Sequence, residues 1–211
     1  MRRQLWLALA TFGGLTAAML TPLCAGEKGG TSDDGWVSLF NGQDLTGWKT
    51  HPKNPGQWRV ESGILVSSGK GTSHLFSERD DYKDFHFRIE AKISDKGNSG
   101  QYFRTEFGPG YPKGYEAQIN STFPDPQKTG SLYNFVLIRK MLVPPDTWFT
   151  QEVIAKGNHI VIKVNGVKTV DYVDFENTYM KGRFALQQHG PSKGGPESVL
   201  HVRKMEVKEL K

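Results

Sequence analysis

The sequence predicts an all-β sandwich of two packed antiparallel sheets. Beyond residue 35, apolar residues follow no helical period and instead fall in short runs that alternate with polar residues. Gly, Pro, Asn and Asp interrupt these runs throughout, as turn residues do. So many short segments suit two face-packed sheets, and neither an internal repeat nor an interdomain linker divides them.

Residues 1–25 are predicted to be an export signal. Arg2 and Arg3 precede an apolar run over 5–23, and a small residue, Ala25, follows where a signal peptidase would cut. The alternative is a membrane anchor, which the Thr, Gly and Pro residues inside the run disfavour. We therefore expect signal-peptide removal and a periplasmic or secreted protein.

The only cysteine, Cys24, lies at the end of this segment and is an alternative lipidation site. Leu23 precedes it, where a small residue is expected for lipidation. Without that modification we expect no stable membrane association, and the cleaved chain has neither disulfides nor thiolate ligands. The rest divides into a flexible leader, 26–35, and a single domain, 36–211.

The strands follow from the alternation and its breaks. Their predicted ranges are 36–41, 57–61, 63–68, 74–78, 84–94, 98–106, 114–120, 147–156, 158–165, 167–172, 182–189 and 199–209. Gly157-Asn158 and Asn165-Gly166 separate three consecutive strands. Because Asn and Gly tolerate the positive φ of tight hairpin turns, these three strands should form a meander.

Two further features concern strand faces. Segment 84–94 has apolar residues at every second position, so one of its faces should lie in the core. In the last strand, Val202 and Met205 are three residues apart and cannot share a face. This spacing predicts a bulge near Arg203-Lys204.

Segment 121–146 is the least regular part of the chain. It contains four prolines and an apolar patch at 135–138. A loop this long in a compact domain is usually functional or covers another part of the fold, and local packing of the loop itself is the alternative.

Charge and motifs exclude several functions. The formal net charge is +5, of which Arg2 and Arg3 belong to the export segment. Lys and Arg form no cluster, so nucleic acid is not a predicted partner. The sequence has no Gly-rich phosphate loop, no Gly-x-Ser-x-Gly motif and no Cys or His pair at metal-ligand spacing. No two closely spaced acids on one strand resemble the carboxylate pair of a retaining glycosidase.

Three predicted strands place polar side chains opposite their apolar residues. With Phe103, Ala117 and Leu186 assigned to the core, the two-residue period puts a polar set on the other face. The set comprises Tyr102, Arg104, Glu106, Glu116, Gln118, Asn120, Arg183, Gln187 and His189. On neighbouring strands these groups would form a platform that matches sugar hydroxyls, and an ordinary solvated face is the alternative. Gly100 indicates a close approach or a bulge here.

An ordered series of motifs resembles a known family. The motifs are 36–48, 58–65, 84–85, 97–100 with Arg104, 114–119, 130–133, 165–166 and 182–190. Together they are similar to the family named for 3-keto-disaccharide hydrolase, or 3-keto-glucoside 1,2-lyase and 3-keto-2-hydroxyglucal hydratase activity. The resemblance covers essentially all of 36–210. It implies a concanavalin-like (lectin-like) jelly-roll sandwich, bacterial export and a carbohydrate partner.

One position departs from the family pattern. Relatives often have an Asp after Gly-Tyr-Glu-x-Gln-Ile, whereas this chain has Asn120 and Ser121 there. The chain therefore either lacks that carboxylate or uses Asp125.

The resemblance also implies a reaction, in which the C2 proton of a 3-keto-glycoside is removed, the C1 aglycone is eliminated and water is added. His189 or Glu116 is the expected base, and Arg104 the group that stabilises the enolate oxygen. Tyr102 would donate to the leaving group. The other expected substrate-binding residues are Gln118, Gln187, Asn98 and Tyr133.

Several alternatives stay open at this point. No organic cofactor is expected, but a divalent cation held by Glu116 and His189 is an alternative to Arg104. A non-catalytic carbohydrate-binding module is the second candidate function. The third is an endo-glycosidase with two carboxylates about 5–9.5 Å apart.

Overall fold

The computed structural model describes residues 34–211. Within this range the chain forms thirteen strands and no helix. The strands are β1 (Val37–Ser38), β2 (Trp48–Thr50), β3 (Trp58–Glu61), β4 (Ile64–Ser67), β5 (Ser73–Ser77), β6 (Phe85–Ile93), β7 (Asn98–Thr105), β8 (Tyr115–Asn120), β9 (Phe149–Lys156), β10 (His159–Val164), β11 (Val167–Val173), β12 (Arg183–Gln188) and β13 (Leu200–Glu209).

The strands form two antiparallel sheets. The larger sheet has eight strands in the order β11-β10-β9-β6-β13-β4-β3, with β1 paired to β13. The smaller sheet has five strands in the order β2-β5-β12-β7-β8. This arrangement confirms the predicted sandwich.

The hydrophobic core lies between the sheets and rests on the alternation in β6. Phe85, Phe87 and Ile89 are fully buried, and the residues between them are only half-buried. From the smaller sheet, Phe184 stacks on Phe87 with ring centroids 4.1 Å apart. Each such aromatic ring stabilises the fold by about 1.5–3 kcal/mol relative to an exposed one. The inner face of the smaller sheet is therefore committed to packing, and its outer face is free for other functions.

The predicted turns and bulge are confirmed. Gly157, Asn165 and Gly166 have positive φ of 56°, 50° and 78°, and β9, β10 and β11 form the expected meander. The register between β13 and β6 shifts between Val202 and Lys204, which restores the apolar face of β13 toward the core.

Two strands near the start of the domain differ from prediction. The strand predicted at 36–41 is reduced to Val37–Ser38, and β2 was not predicted. Three residues carry too short a pattern to be recognised, and β2 exists because Trp48 pairs with Ser77 of β5.

The export segment, Cys24 and most of the leader lie outside the described residues, so export and lipidation stay predictions. Over residues 34–211, no helix is long and apolar enough to cross a membrane.

Candidate active site

A pocket of about 590 Å³ opens on the outer face of the smaller sheet. Its size is within the range of about 300–1,000 Å³ that encloses small-molecule ligands. Its floor comes from β7, β8 and β12, and its walls come from the loops that follow these strands and the loop that precedes β12. The lining residues are Asn98, Tyr102, Tyr111, Pro112, Gly114, Glu116, Gln118, Phe123, Asp125, Tyr133, Asn134, Phe135, Tyr179, Gln187 and His189.

Strand register brings the floor residues together. Tyr102 of β7 is the direct partner of Glu116 of β8, and Gly100 is the partner of Gln118. Leu186 of β12 pairs with Gln101, so Gln187 lies beside Gly100. These residues share the outer face because alternate residues point the same way, as the two-residue period predicted.

Glu116 is the central acid of the pocket. It is 7 % exposed, and its Oε2 accepts a 2.8 Å hydrogen bond from the Tyr102 hydroxyl. Burial raises the pKa of Glu116 to about 8, the Tyr102 hydrogen bond opposes that rise, and the charge of Asp125 adds to it. Near neutral pH the carboxyl group therefore carries a proton.

A chain of hydrogen bonds leads from Gln187 to this carboxyl group. The Gln187 amide donates to the Tyr102 hydroxyl at 3.0 Å, and that hydroxyl donates to Glu116 Oε2 at 2.8 Å. The carboxyl proton then belongs on Oε1. This oxygen lies directly over Gly100, where an added Cβ would be 2.1 Å away. The close approach that Gly100 predicted is thus made by the Glu116 carboxyl group.

Two buried amide oxygens in the lining have no hydrogen-bond partner within the described chain. They are Gln187 Oε1 and Asn98 Oδ1. The Gln187 amide nitrogen also lies 3.5 Å from Nε2 of His74, a histidine whose burial lowers its pKa to about 3 and keeps it neutral. Unsatisfied buried acceptors are costly, and sugar hydroxyl groups are donors that would satisfy them.

His189 lies at the end of β12, on the rim of the pocket. Its Nδ1 donates to the Gly190 carbonyl at 2.6 Å, which leaves Nε2 as the acceptor in the neutral ring. The Tyr111 hydroxyl is 3.4 Å from Nε2, and the Phe123 ring lies 5.1 Å from the imidazole. His189 is therefore oriented with a basic nitrogen toward other pocket residues.

The long loop 121–146 builds one wall. Its residues 129–133 run beside β8, with hydrogen bonds between the backbones of Tyr133 and Glu116 and of Ser131 and Gln118. The Tyr133 hydroxyl donates to Asp125 Oδ2 at 3.1 Å, and burial raises the pKa of Tyr133 to about 12. The structure thus favours the interpretation of this loop as a cover, and it brings Asp125 into the pocket.

Arg104 is not in the pocket, and its predicted placement there is wrong. Its guanidinium group is buried and donates to the carbonyls of Lys83, at 2.9 and 2.6 Å, and Tyr179, at 3.1 Å. It also lies 3.4 Å from Asp84. A bulge in β7 is the cause: Arg104 has a φ of +50°, and the register with β12 shifts there, which ends the two-residue alternation.

The other residues expected to act in catalysis or to bind substrate all line the pocket, whereas Glu106, Asn120 and Arg183 of the predicted platform do not. Sequence patterns missed the aromatic residues contributed by loops, namely Tyr111, Phe123, Phe135 and Tyr179. The sequence does carry one unused signal for Tyr111, the turn-forming run Gly108-Pro109-Gly110-Tyr111-Pro112 that follows a strand with polar residues.

The predicted cation ligands do not form a cluster. Across residues 34–211, no three His, Cys, Asp or Glu side chains are placed to hold a metal ion together. Glu116 and His189 both line the pocket but are joined by no third such ligand.

Residues 35–208 match the sequence profile of the 3-keto-alpha-glucoside-1,2-lyase-like domain. The chain belongs to this family. A 3-keto-disaccharide hydrolase of Bacteroides thetaiotaomicron is 28% identical over 81 residues, which are 33% of this chain and 27% of that protein. The match to that relative thus spans about a quarter of its length.

Solved structures agree on the fold. A protein of Parabacteroides distasonis, provisionally assigned as a glycosyl hydrolase, is 26% identical with a TM-score of 0.69, covering 84% of this chain and 95% of that one. The carbohydrate-binding module CBM66 of Bacillus subtilis is 17% identical with a TM-score of 0.53, covering 75% and 93%. The second likeness concerns the fold alone, a lectin-like jelly roll. The family is thus that of the 3-keto-alpha-glucoside-1,2-lyase-like domain, and the curated relative is a 3-keto-disaccharide hydrolase.

Proposed function

We propose that this domain cleaves 3-keto-glycosides by removing the C2 proton and eliminating the C1 aglycone. The observation that carries the proposal is the buried Glu116 carboxyl group, with a pKa of about 8, in one pocket with His189. A ketone at C3 makes the C2 proton acidic, so the reaction needs a base at C2 and a donor at the C3 oxygen.

His189 is the base in this proposal. Its Nε2 accepts the C2 proton, and the C–H electron pair forms the C1–C2 double bond as the C1–oxygen bond breaks. The protonated imidazole then returns its proton to the departing aglycone oxygen. Hydration follows the reverse order: His189 takes a proton from water, the oxygen bonds to C1, and C2 regains a proton.

In this proposal Glu116, and not Arg104, stabilises the enolate oxygen. A protonated carboxyl group in a buried site donates to an oxygen on which negative charge develops. With Oε2 engaged by Tyr102, the proton on Oε1 is the one that donates to the C3 oxygen in this proposal. Tyr102 is then a support for Glu116, because its own proton is already donated, and not the donor to the leaving group.

The first test is turnover of a 3-keto-disaccharide in deuterated water. The proposal expects release of the aglycone together with deuterium at C2 of the sugar. Tight binding with neither product nor exchange would instead favour a carbohydrate-binding module, which the unsatisfied acceptors Gln187 and Asn98 also suit.

Glu116→Gln and Glu116→Ala together test whether Glu116 acts as a hydrogen-bond donor or as a base. Glutamine keeps a donor at the position of Oε1, so kcat/KM should stay within about tenfold of wild type, whereas alanine should cost about 10²–10³-fold. Wild-type activity should fall as pH rises through about 8, because ionisation removes the donor, and the Gln variant should lack this decline.

Glu106→Gln, a change of an exposed glutamate, is the matched control. If Glu116 were the base, Glu116→Gln would be as inactive as Glu116→Ala and the roles assigned here would be reversed.

Gly100→Ala tests the position of the same carboxyl group. A Cβ 2.1 Å from Oε1 must displace it, and a misplacement of this size typically costs about 10²-fold in rate. Circular dichroism should show an unchanged fold, while kcat/KM falls. Gly71→Ala is the control, because nothing lies within 4 Å of a Cβ there. Wild-type kinetics in Gly100→Ala would show that the carboxyl position does not matter.

A further inference from the structure

One buried side chain from each of four neighbouring strands contributes to a single row of polar groups along the pocket floor. His74 of β5 is the direct partner of Gln187 of β12, and Tyr102 of β7 is the direct partner of Glu116 of β8. These strands lie side by side in the order β5-β12-β7-β8. The Gln187 amide nitrogen is 3.0 Å from the Tyr102 hydroxyl and 3.5 Å from His74 Nε2. The row therefore runs from His74 through Gln187 and Tyr102 to the acid of the pocket.

The heavy atoms of this row are compatible with two directions of donation. In the first, Gln187 donates to Tyr102 and Tyr102 donates to Glu116 Oε2, which leaves the carboxyl proton on Oε1. In the second, the Gln187 amide is reversed, Tyr102 donates to its oxygen, and the carboxyl proton lies on Oε2. Because amide orientations and hydroxyl protons follow from the whole network, the group at the end of the row decides between the two.

His74 is that end group. It is 2% exposed, and burial lowers its pKa to about 3, so the ring is neutral and has one donor and one acceptor nitrogen. A hydrogen bond with the Gly110 backbone opposes the lowering of the pKa, as a bond donated to a carbonyl does. Gly110 is itself held in place, because its N–H donates to Asn54 Oδ1 at 3.0 Å. Since Nε2 faces Gln187, the proton belongs on Nδ1 and Nε2 is left as an acceptor.

This acceptor favours the first direction. A Gln187 amide in the first orientation directs an N–H group to His74 Nε2, whereas a reversed amide would place its oxygen against a nitrogen that has no proton. The first orientation also leaves Gln187 Oε1 as the buried acceptor that has no partner among the described residues.

We propose that His74, with its proton on Nδ1, is a positioning residue that sets the direction of this row. It thereby keeps the Glu116 proton on Oε1 and the Gln187 oxygen as an acceptor. The inference rests on the proposed function, in which Glu116 donates to the C3 oxygen. It adds a rule for the substrate, because a hydroxyl group can donate to Gln187 Oε1 and a keto oxygen cannot. The pocket thus distinguishes the ketone of a 3-keto-glycoside, bound at Glu116, from its hydroxyl groups.

The first measurement determines the His74 tautomer in the free protein. Long-range proton–nitrogen NMR of histidine-labelled protein at neutral pH distinguishes a protonated Nδ1 from a protonated Nε2, and the His74 signals are those missing from His74→Met. We expect a proton on Nδ1 and none on Nε2. A proton on Nε2, in the neutral or the charged ring, would overturn the proposal, because Nε2 would then be a donor. The measurement uses no substrate and is therefore independent of the proposed function.

His74→Gln and His74→Met are the matched variants for turnover of a 3-keto-disaccharide. The two new side chains have the same length, but only glutamine keeps an acceptor near the position of Nε2. We expect kcat/KM to stay within about threefold of wild type in His74→Gln and to fall about tenfold in His74→Met, the effect of about one hydrogen bond. Because methionine fills irregular apolar space well, a role in packing alone predicts the opposite order.

A thermal melt of each variant separates stability from turnover. His74→Met should melt at least as high as His74→Gln, because methionine buries no additional polar group. His159→Met, at an exposed histidine of the larger sheet, is the control and should keep wild-type values. Equal kcat/KM in the two His74 variants, or a higher value in His74→Met, would overturn the positioning role and leave the proposed function intact. A wild type that turns over no 3-keto-glycoside contradicts the proposed function, and the His74 tautomer still decides the direction of the row.

Discussion

His189→Ala is expected to lower kcat/KM on a 3-keto-glycoside by about 10²–10⁴-fold, the usual range for loss of a general base. The reason is the fixed tautomer. The Gly190 carbonyl accepts a hydrogen bond from Nδ1, so Nε2 is the nitrogen that is left to accept a proton. The ring is half-buried at the end of β12 and packs against Phe123, so its loss should disturb the core little. Steady-state kinetics and a thermal melt on the same preparation check both statements.

His159→Ala is the matched control for this variant. His159 is exposed, belongs to β10 of the larger sheet and pairs with Asp171. Its replacement should leave kcat/KM unchanged. Exchange of the C2 hydrogen with solvent should also disappear in His189→Ala, and exchange at the wild-type rate would show that another group removes the C2 proton.

Arg104→Ala is expected to destabilise the fold by about 1–3 kcal/mol, the usual cost of leaving hydrogen-bonding groups without their partner. The buried side chain lies beside Phe85 and supplies donors to the carbonyls of Lys83 and Tyr179, and alanine removes these donors. Because domains of this size are stable by about 5–15 kcal/mol, the loss should be large in a urea titration.

Arg104→Lys should give a smaller loss, because lysine keeps the charge but has no planar fork to serve both carbonyls. It also keeps the test usable if the alanine variant does not fold. Arg59→Ala, at an exposed arginine paired with Glu61, is the control and should change stability by no more than about 0.5 kcal/mol. Equal stability of the Arg104 and Arg59 variants would contradict the structural role.

The polar floor could be read from the sequence because strand geometry is local. Tyr102, Glu116, Gln118 and Gln187 each follow the two-residue period of their own strand, and that period places them opposite the core. The hairpins at 157 and 165 follow in the same way from residues that tolerate positive φ. Such features depend on near neighbours in the chain, so the amino-acid pattern suffices to predict them.

Distant contacts determined the rest. The alternation in β7 is interrupted at Arg104, because β7 has one extra residue there relative to β12. That bulge arises only from the pairing of two distant strands. The same holds for Asp125 and Tyr111: their loops carry no periodic pattern, and their positions depend on contacts with β8 and with Asn54 and His74. The raised pKa of Glu116 is likewise a property of burial. A chain pattern specifies which way a side chain points from its own strand, whereas its neighbours and its hydration depend on which distant segments pack around it.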